Sequence, residues 1–148
     1  MTATELSPLR PEQSGVFLVS RALPTLRKAA RRAGCAWIEA DLHGARDKAG
    51  FLAACARQLE FPSHFGGNWD AFSDCISDLS WQAAPGYVIV FNGMDTLAQH
   101  APDALATALE ILRAAADAWR SHHTTFIVLL DYAPATLAVD PFPEPPLT

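Results

Sequence analysis

The side chains with most chemistry to offer lie between Phe61 and Trp81, in the stretch FPSHFGGNWDAFSDCISDLSW. Asp70, Asp74 and Asp78 recur every four residues, with Ser73 and Ser77 beside them. On the other side Trp69, Phe72, Ile76 and Leu79 fall at spacings of three and four, joined by Cys75, which predicts a helix with one buried face. Pro62 and the Gly66-Gly67 pair force a turn ahead of it, and Asn68 is a good N-cap. Like charges four apart on a helix repel by roughly 0.2–0.5 kcal/mol per pair. Asp70 suits the positive end of the helix dipole, whereas Asp78, near the last turn, does not. No Lys or Arg occurs between Arg57 and Arg113 to offset the row. Such a row is either a solvated face that happens to be acidic or a surface kept acidic for a basic partner.

Other constellations are weaker. Asp41, Asp95 and Asp131 each fall at or just past the end of an expected strand. In a parallel sheet those ends gather, so three carboxylates there could hold Mg²⁺ for a small α/β enzyme. The bland alternative is turn chemistry, since Asp is common after strands. Backbone N–H groups at Gly66-Gly67-Asn68 could cradle an anion, but Asp70 just inside the helix would repel it. His43, His64, His100, His122 and His123 share no helix face at ligand spacing, and no Ser, His and acid form a nucleophilic pattern. Arg27, Lys28, Arg31 and Arg32 make a basic cluster that reads as a solvated amphipathic face. No motif calls for a metal or other cofactor.

The chain has 148 residues, half of them hydrophobic, enough for one domain with a single core. A net charge of −5 argues against nucleic acid as a direct partner and suits a basic protein. Cys35, Cys55 and Cys75 are odd in number and lack metal-ligand spacing, as expected of reduced thiols in a cytoplasmic protein. No cationic start precedes an apolar run at the N-terminus, and no apolar stretch is long enough to span a membrane.

Three runs read as strands, at 35–40, 87–91 and 125–130, with a possible fourth edge strand at 16–19. Helices are expected from Pro24 to Gly34, from about Asp47 to Glu60, from Trp69, and from Pro102 to about His122. The alternation implies an α/β fold around a parallel sheet. A flexible segment at 1–13 and a proline-rich mobile tail at 133–148 would flank one domain at 14–132.

The segment FPSHFGGNWDAFSDC resembles the loop-and-helix signature of the barstar family, intracellular inhibitors of barnase-type secreted ribonucleases. Phe65, Gly66, Asn68, Asp70, Ala71, Asp74 and Cys75 match it in register, and a weaker similarity runs from about Cys35 to Tyr132. The resemblance implies a three-stranded parallel sheet with about four to five helices, and no enzymatic activity. It also implies that the acidic loop and helix enter a basic nuclease's active site in place of RNA phosphates. His64, Gly66, Asn68, Asp70, Ser73, Asp74, Ser77 and Asp78 would then face that partner, with Asp74 the main contact. The chain departs from the family pattern at His64, Ser73, Ser77, Asp78 and Leu79, with Trp81 the next aromatic. The family's further acid, on the helix before the last strand, aligns with Ala114, with Asp117 or Glu110 as substitutes.

Overall fold

The computed structural model describes residues 9–143. In chain order the elements are β1 (Gly15–Leu18), α1 (Leu23–Ala33), β2 (Ala36–Asp41), α2 (Lys48–Gln58), α3 (Trp69–Ile76), β3 (Gly86–Asn92), α4 (Met94–His100), α5 (Pro102–Ser121) and β4 (Thr125–Leu130). The four strands pair in parallel in the order β1-β4-β3-β2. β3 and β4 occupy the centre because they can: every residue of β4 and all but Asn92 of β3 are buried, which only apolar runs tolerate.

Side chains alternate between the faces of the sheet, so each strand feeds two cores. Ile89, Phe91, Val128 and Leu130 point to the side covered by α2, α3, α4 and α5. Val88, Val90, Ile127 and Leu129 point to the side covered by Ala22, Leu26 and Ala30, the last two from α1.

The short run at 16–19 is a true edge strand, so the sheet has four strands rather than three. Gly15 aligns with Ile127 and Leu18 with Leu130. The stretch leading into it is hydrogen-bonded to the rest of the domain at Leu9 and Ser14. Thr125 Oγ1 donates to the Leu9 carbonyl at 2.7 Å, Phe126 N donates to Ser14 Oγ at 2.9 Å, and the Arg120 guanidinium donates to the Ser14 carbonyl. Residues 1–8, the remainder of the expected flexible segment, lie outside the described residues.

The described stretch after β4 makes contacts with β1. Leu18 N donates to the Asp140 carbonyl at 2.8 Å, and Phe142 N donates to the Leu18 carbonyl at 2.9 Å, so the chain returns along the outer rim of β1. Phe142 is 3% exposed and meets Phe17 edge-on at 5.0 Å. Residues 144–148, the remainder of the expected mobile tail, lie outside the described part. At the opposite rim the Gln58 amide takes both polar groups of Asp41, accepting from its N–H at 2.6 Å and donating to its carbonyl.

Helix α4 has no counterpart in the sequence reading. It follows Gly93, whose φ is +91°, and no local side chain caps it. Asp131 does so instead, accepting from Gly93 N at 2.7 Å and Met94 N at 3.1 Å. Gly93 is obligatory for a second reason: a Cβ there would lie 2.5 Å from His43 N.

Phe142→Ala should lower the unfolding free energy by about 3 kcal/mol, the low end for truncating a buried Phe. Urea unfolding measures this, and a change near zero would mean the return of the chain along β1 contributes nothing.

Candidate functional site

The turn before α3 is built from backbone. Phe65 N closes onto the Pro62 carbonyl at 2.9 Å, and Gly67, with φ +69°, supplies the left-handed step. Asn68 then caps the helix, its Oδ1 accepting from Ala71 N at 2.8 Å. An Asn→Ala change at such a cap costs about 1 kcal/mol of helix stability.

A cluster of rings sets the rotation of α3. Phe51 of α2 lies 5.5 Å from Phe72 and 6.0 Å from Trp69; Phe61 lies 5.0 Å from Phe65, 6.2 Å from Phe72 and 5.9 Å from Trp81. Phe72, Cys75 and Ile76 are buried, and the Trp119 indole donates to the Ile76 carbonyl at 3.0 Å. With that face fixed, Asp70 and Asp74 must face water. Both are exposed, and neither has a hydrogen-bond or ion-pair partner among the described residues. The exposed Lys48 of α2 places its ammonium 5.7 Å from the centre of the half-buried Trp69 ring.

The third acid departs from the expected row. α3 ends at Ile76 with Ser77 as its C-cap, and Leu79 adopts φ +51°. A left-handed Leu is strained, and here its side chain is fully buried, which holds the turn. Asp78 therefore sits just beyond the helix, off the row of Asp70 and Asp74, and accepts from Ser80 Oγ at 3.1 Å.

This turn shapes a shallow depression of about 290 Å³ whose rim brings together His64, Asp74 and Asp78, with Cys75, Ser80 and Trp81. Burial, and the nearby Asp74 and Asp78 carboxylates, push the Cys75 thiol above its ordinary value, which keeps it protonated. Of the other expected residues, Asn68 is occupied as the cap, Asp70 stands in the first turn, and Gly66, Ser73 and Ser77 do not line the depression. Ser80 and Trp81 were not assigned from sequence. The aromatic two positions past the expected one was their only signal. On α5, Asp117 is engaged by Arg120 at 2.7 Å, while Glu110 and Ala114 are exposed.

The rival carboxylates all lie near enough to His43 to raise its pKa, but each has another place in the fold. Asp131 is the cap of α4, Asp41 pairs with His43 Nδ1 at 2.6 Å, and Asp95 lies exposed in the first turn of α4. Among the described residues no group of three or more His, Cys, Asp or Glu is placed to hold a metal. The Mg²⁺ reading of these three residues is set aside in favour of capping and turn chemistry. Among the described residues, no helix is long and apolar enough to cross a membrane.

A family model described as Barstar (barnase inhibitor) matches residues 35–131, from just before β2 to the end of β4. No curated protein matches the chain in sequence.

The Asp41–His43 pair carries a pH signature. Backbone and side-chain hydrogen bonds from His43 hold the Asp41 carboxyl below its ordinary value, and the bond to Asp41 raises His43 above its own. The pair's contribution should be present at intermediate pH. It should fade as pH falls through the lowered Asp41 value, and again as pH rises through the raised His43 value. In an NMR titration, Asp41→Asn should bring the His43 midpoint back toward that of an ordinary imidazole; an unmoved midpoint contradicts the assignment.

Proposed function

Since the chain belongs to the barstar (barnase inhibitor) family, we propose that it is an intracellular inhibitor of a basic, barnase-like ribonuclease or a related toxin nuclease, and that α3 is its inhibitory element. The family is one of inhibitors, so the chain's task is to occupy an active site rather than to supply one. The observation that carries the reading is the pair Asp70 and Asp74: exposed, without partners among the described residues, on a helix whose opposite face is locked into aromatic packing.

A ribonuclease presents cationic groups where RNA phosphates bind. A carboxylate aimed there accepts charge-assisted hydrogen bonds, the stronger kind, and Arg forks can grip it in bidentate fashion. Asp74 faces the depression beside Asp78 and is the principal contact; Asp70 approaches from the first turn. His64 and Trp81 offer flat surfaces at the rim where a family aromatic is missing at Ser73. Because the aromatic cluster already fixes the helix, little ordering remains to be done on binding. Asp78 adds a charge where the family pattern has a glycine, which suits a nuclease with a wider cationic pocket.

Association should be fast at low ionic strength and should slow as salt is added, since net opposite charges steer the encounter. Asp74→Asn should weaken the complex by about 1.5–3 kcal/mol, the worth of a hydrogen bond to a charged group, and Asp70→Asn by less. Neither variant should change the urea unfolding free energy by more than about 1 kcal/mol, because neither side chain is bonded in the free protein and only Asp70 gains from the helix N-terminus. Inhibition of RNA cleavage by a barnase-like enzyme, titrated with each variant, measures the effect. Wild-type potency in both variants would sink the assignment of α3.

A further inference from the structure

The chain's charge is unevenly distributed, and the fold sorts it. Residues 9–34, ahead of the region matched by the family model, hold six Arg or Lys against one acid, Glu12, whereas residues 35–131 hold five against twelve. The first group is β1, α1 and their flanks. α1 lies on one face of the sheet, and α3 with its acids lies on the other.

On α1, Arg27, Lys28, Arg31 and Arg32 are all exposed, and so is Arg21 just ahead of it. The helix contains no acid. Arg27/Arg31 and Lys28/Arg32 are like-charge pairs at four-residue spacing, which destabilise a helix. Arg31 and Arg32 gain from the helix C-terminus; Arg21, Arg27 and Lys28 have no such compensation. Arg27 alone meets a carboxylate, Glu39, at 3.4 Å, and Lys28, Arg31 and Arg32 have no ion-pair partner among the described residues. Cations four residues apart are separated by about 6 Å along the axis. That is comparable with the step between neighbouring phosphates of a nucleic-acid strand.

A second feature adjoins these cations. A groove of about 340 Å³, at the lower end of ligand-pocket sizes, is lined by Leu23, Pro24, Arg27 and Trp37. The Arg27 guanidinium lies 5.6 Å from the centre of the half-buried Trp37 ring. Indole and guanidinium planes are surfaces on which unpaired bases stack. The groove's two carboxylates are engaged: Glu39 by Arg27 and the Trp37 indole, Asp131 by the start of α4. The sheet and two helix layers separate this face from the acids of α3, and salt screens one from the other.

We infer that the outer face of α1 docks single-stranded RNA, with the rows Arg27/Arg31 and Lys28/Arg32 each meeting neighbouring phosphates and the Trp37 groove receiving a base. The choice of RNA rests on the ribonuclease reading; the cationic face and its groove do not. The inhibitor would then be held on the polymer that its target cleaves.

The test uses the full chain without any nuclease, titrated into a fluorescein-labelled, uridine-rich RNA strand and followed by anisotropy over a range of salt. With four phosphates engaged, log K against log salt should fall with a slope of about −3. In Lys28→Gln/Arg31→Gln/Arg32→Gln the slope should shrink to about −1, and binding at low salt should fall more than tenfold. Nuclease inhibition by that variant should be unchanged. Conversely, Asp70→Asn/Asp74→Asn should lose inhibition and keep RNA binding, so failure of one reading is distinguishable from failure of the other. Three results would overturn the inference: no binding at the lowest salt, tighter binding of the matching DNA strand, or equal RNA binding by the triple variant. Salt-sensitive self-association abolished by the triple variant would assign the face to the acids of a second copy and overturn it equally.

Discussion

Everything about α3 follows from its being unable to rotate. Phe91 of β3 touches Phe51 of α2 at 6.2 Å, and Phe51 touches both Phe72 and Trp69, so ring contacts run unbroken from the central sheet to the acidic helix. Burying one such ring is worth about 1.5–3 kcal/mol. Repulsion between Asp70 and Asp74 costs a few tenths of that, roughly 0.2–0.5 kcal/mol. The apolar face wins, and the carboxylates stand outward whether or not anything is there to receive them. The exposed charge is a consequence of core packing, and its availability to a basic partner follows without further machinery.

What could be read from the chain divides along the range of the forces involved. β3 and β4 were legible as unbroken apolar runs, and α1, α2 and α5 from their periodicity and caps, because those signals are local. β1 was doubtful because its partner is remote: Ser14 and Phe126, bonded at its start, are 112 residues apart. α4 was invisible for the same reason, since its cap comes from Asp131, 37 residues past Met94. Phe142 sits among prolines, and nothing nearby in sequence reveals that Phe17 waits for it. On α3, Asp70 and Asp74 stand exposed at the four-residue spacing that the sequence displays. Asp78 is off that row, although a period of four continues on paper past a turn that the buried Leu79 enforces.

Whole-chain charge misleads here. The value of −5 hides a cationic stretch at residues 9–34, with four exposed cations on α1, within a chain that is otherwise acidic and carries Asp70 and Asp74 of α3 on the opposite face of the sheet. Screening over about 10 Å at 0.1 M salt lets each side present its own sign to what approaches it. A sequence-wide sum describes neither side.

The two rims of the sheet have a consequence of their own. A strand edge with free peptide groups is a template on which another molecule's strand can grow. At one rim the Gln58 amide imitates a neighbouring peptide and consumes the donor and acceptor of Asp41; at the other, Asp140 and Phe142 consume those of Leu18. The remaining outer rungs of β2 carry Glu39, a charge that discourages stacking. The sheet thus ends on groups from its own chain, and crowding many copies together gives cross-molecule ladders little purchase at those rungs.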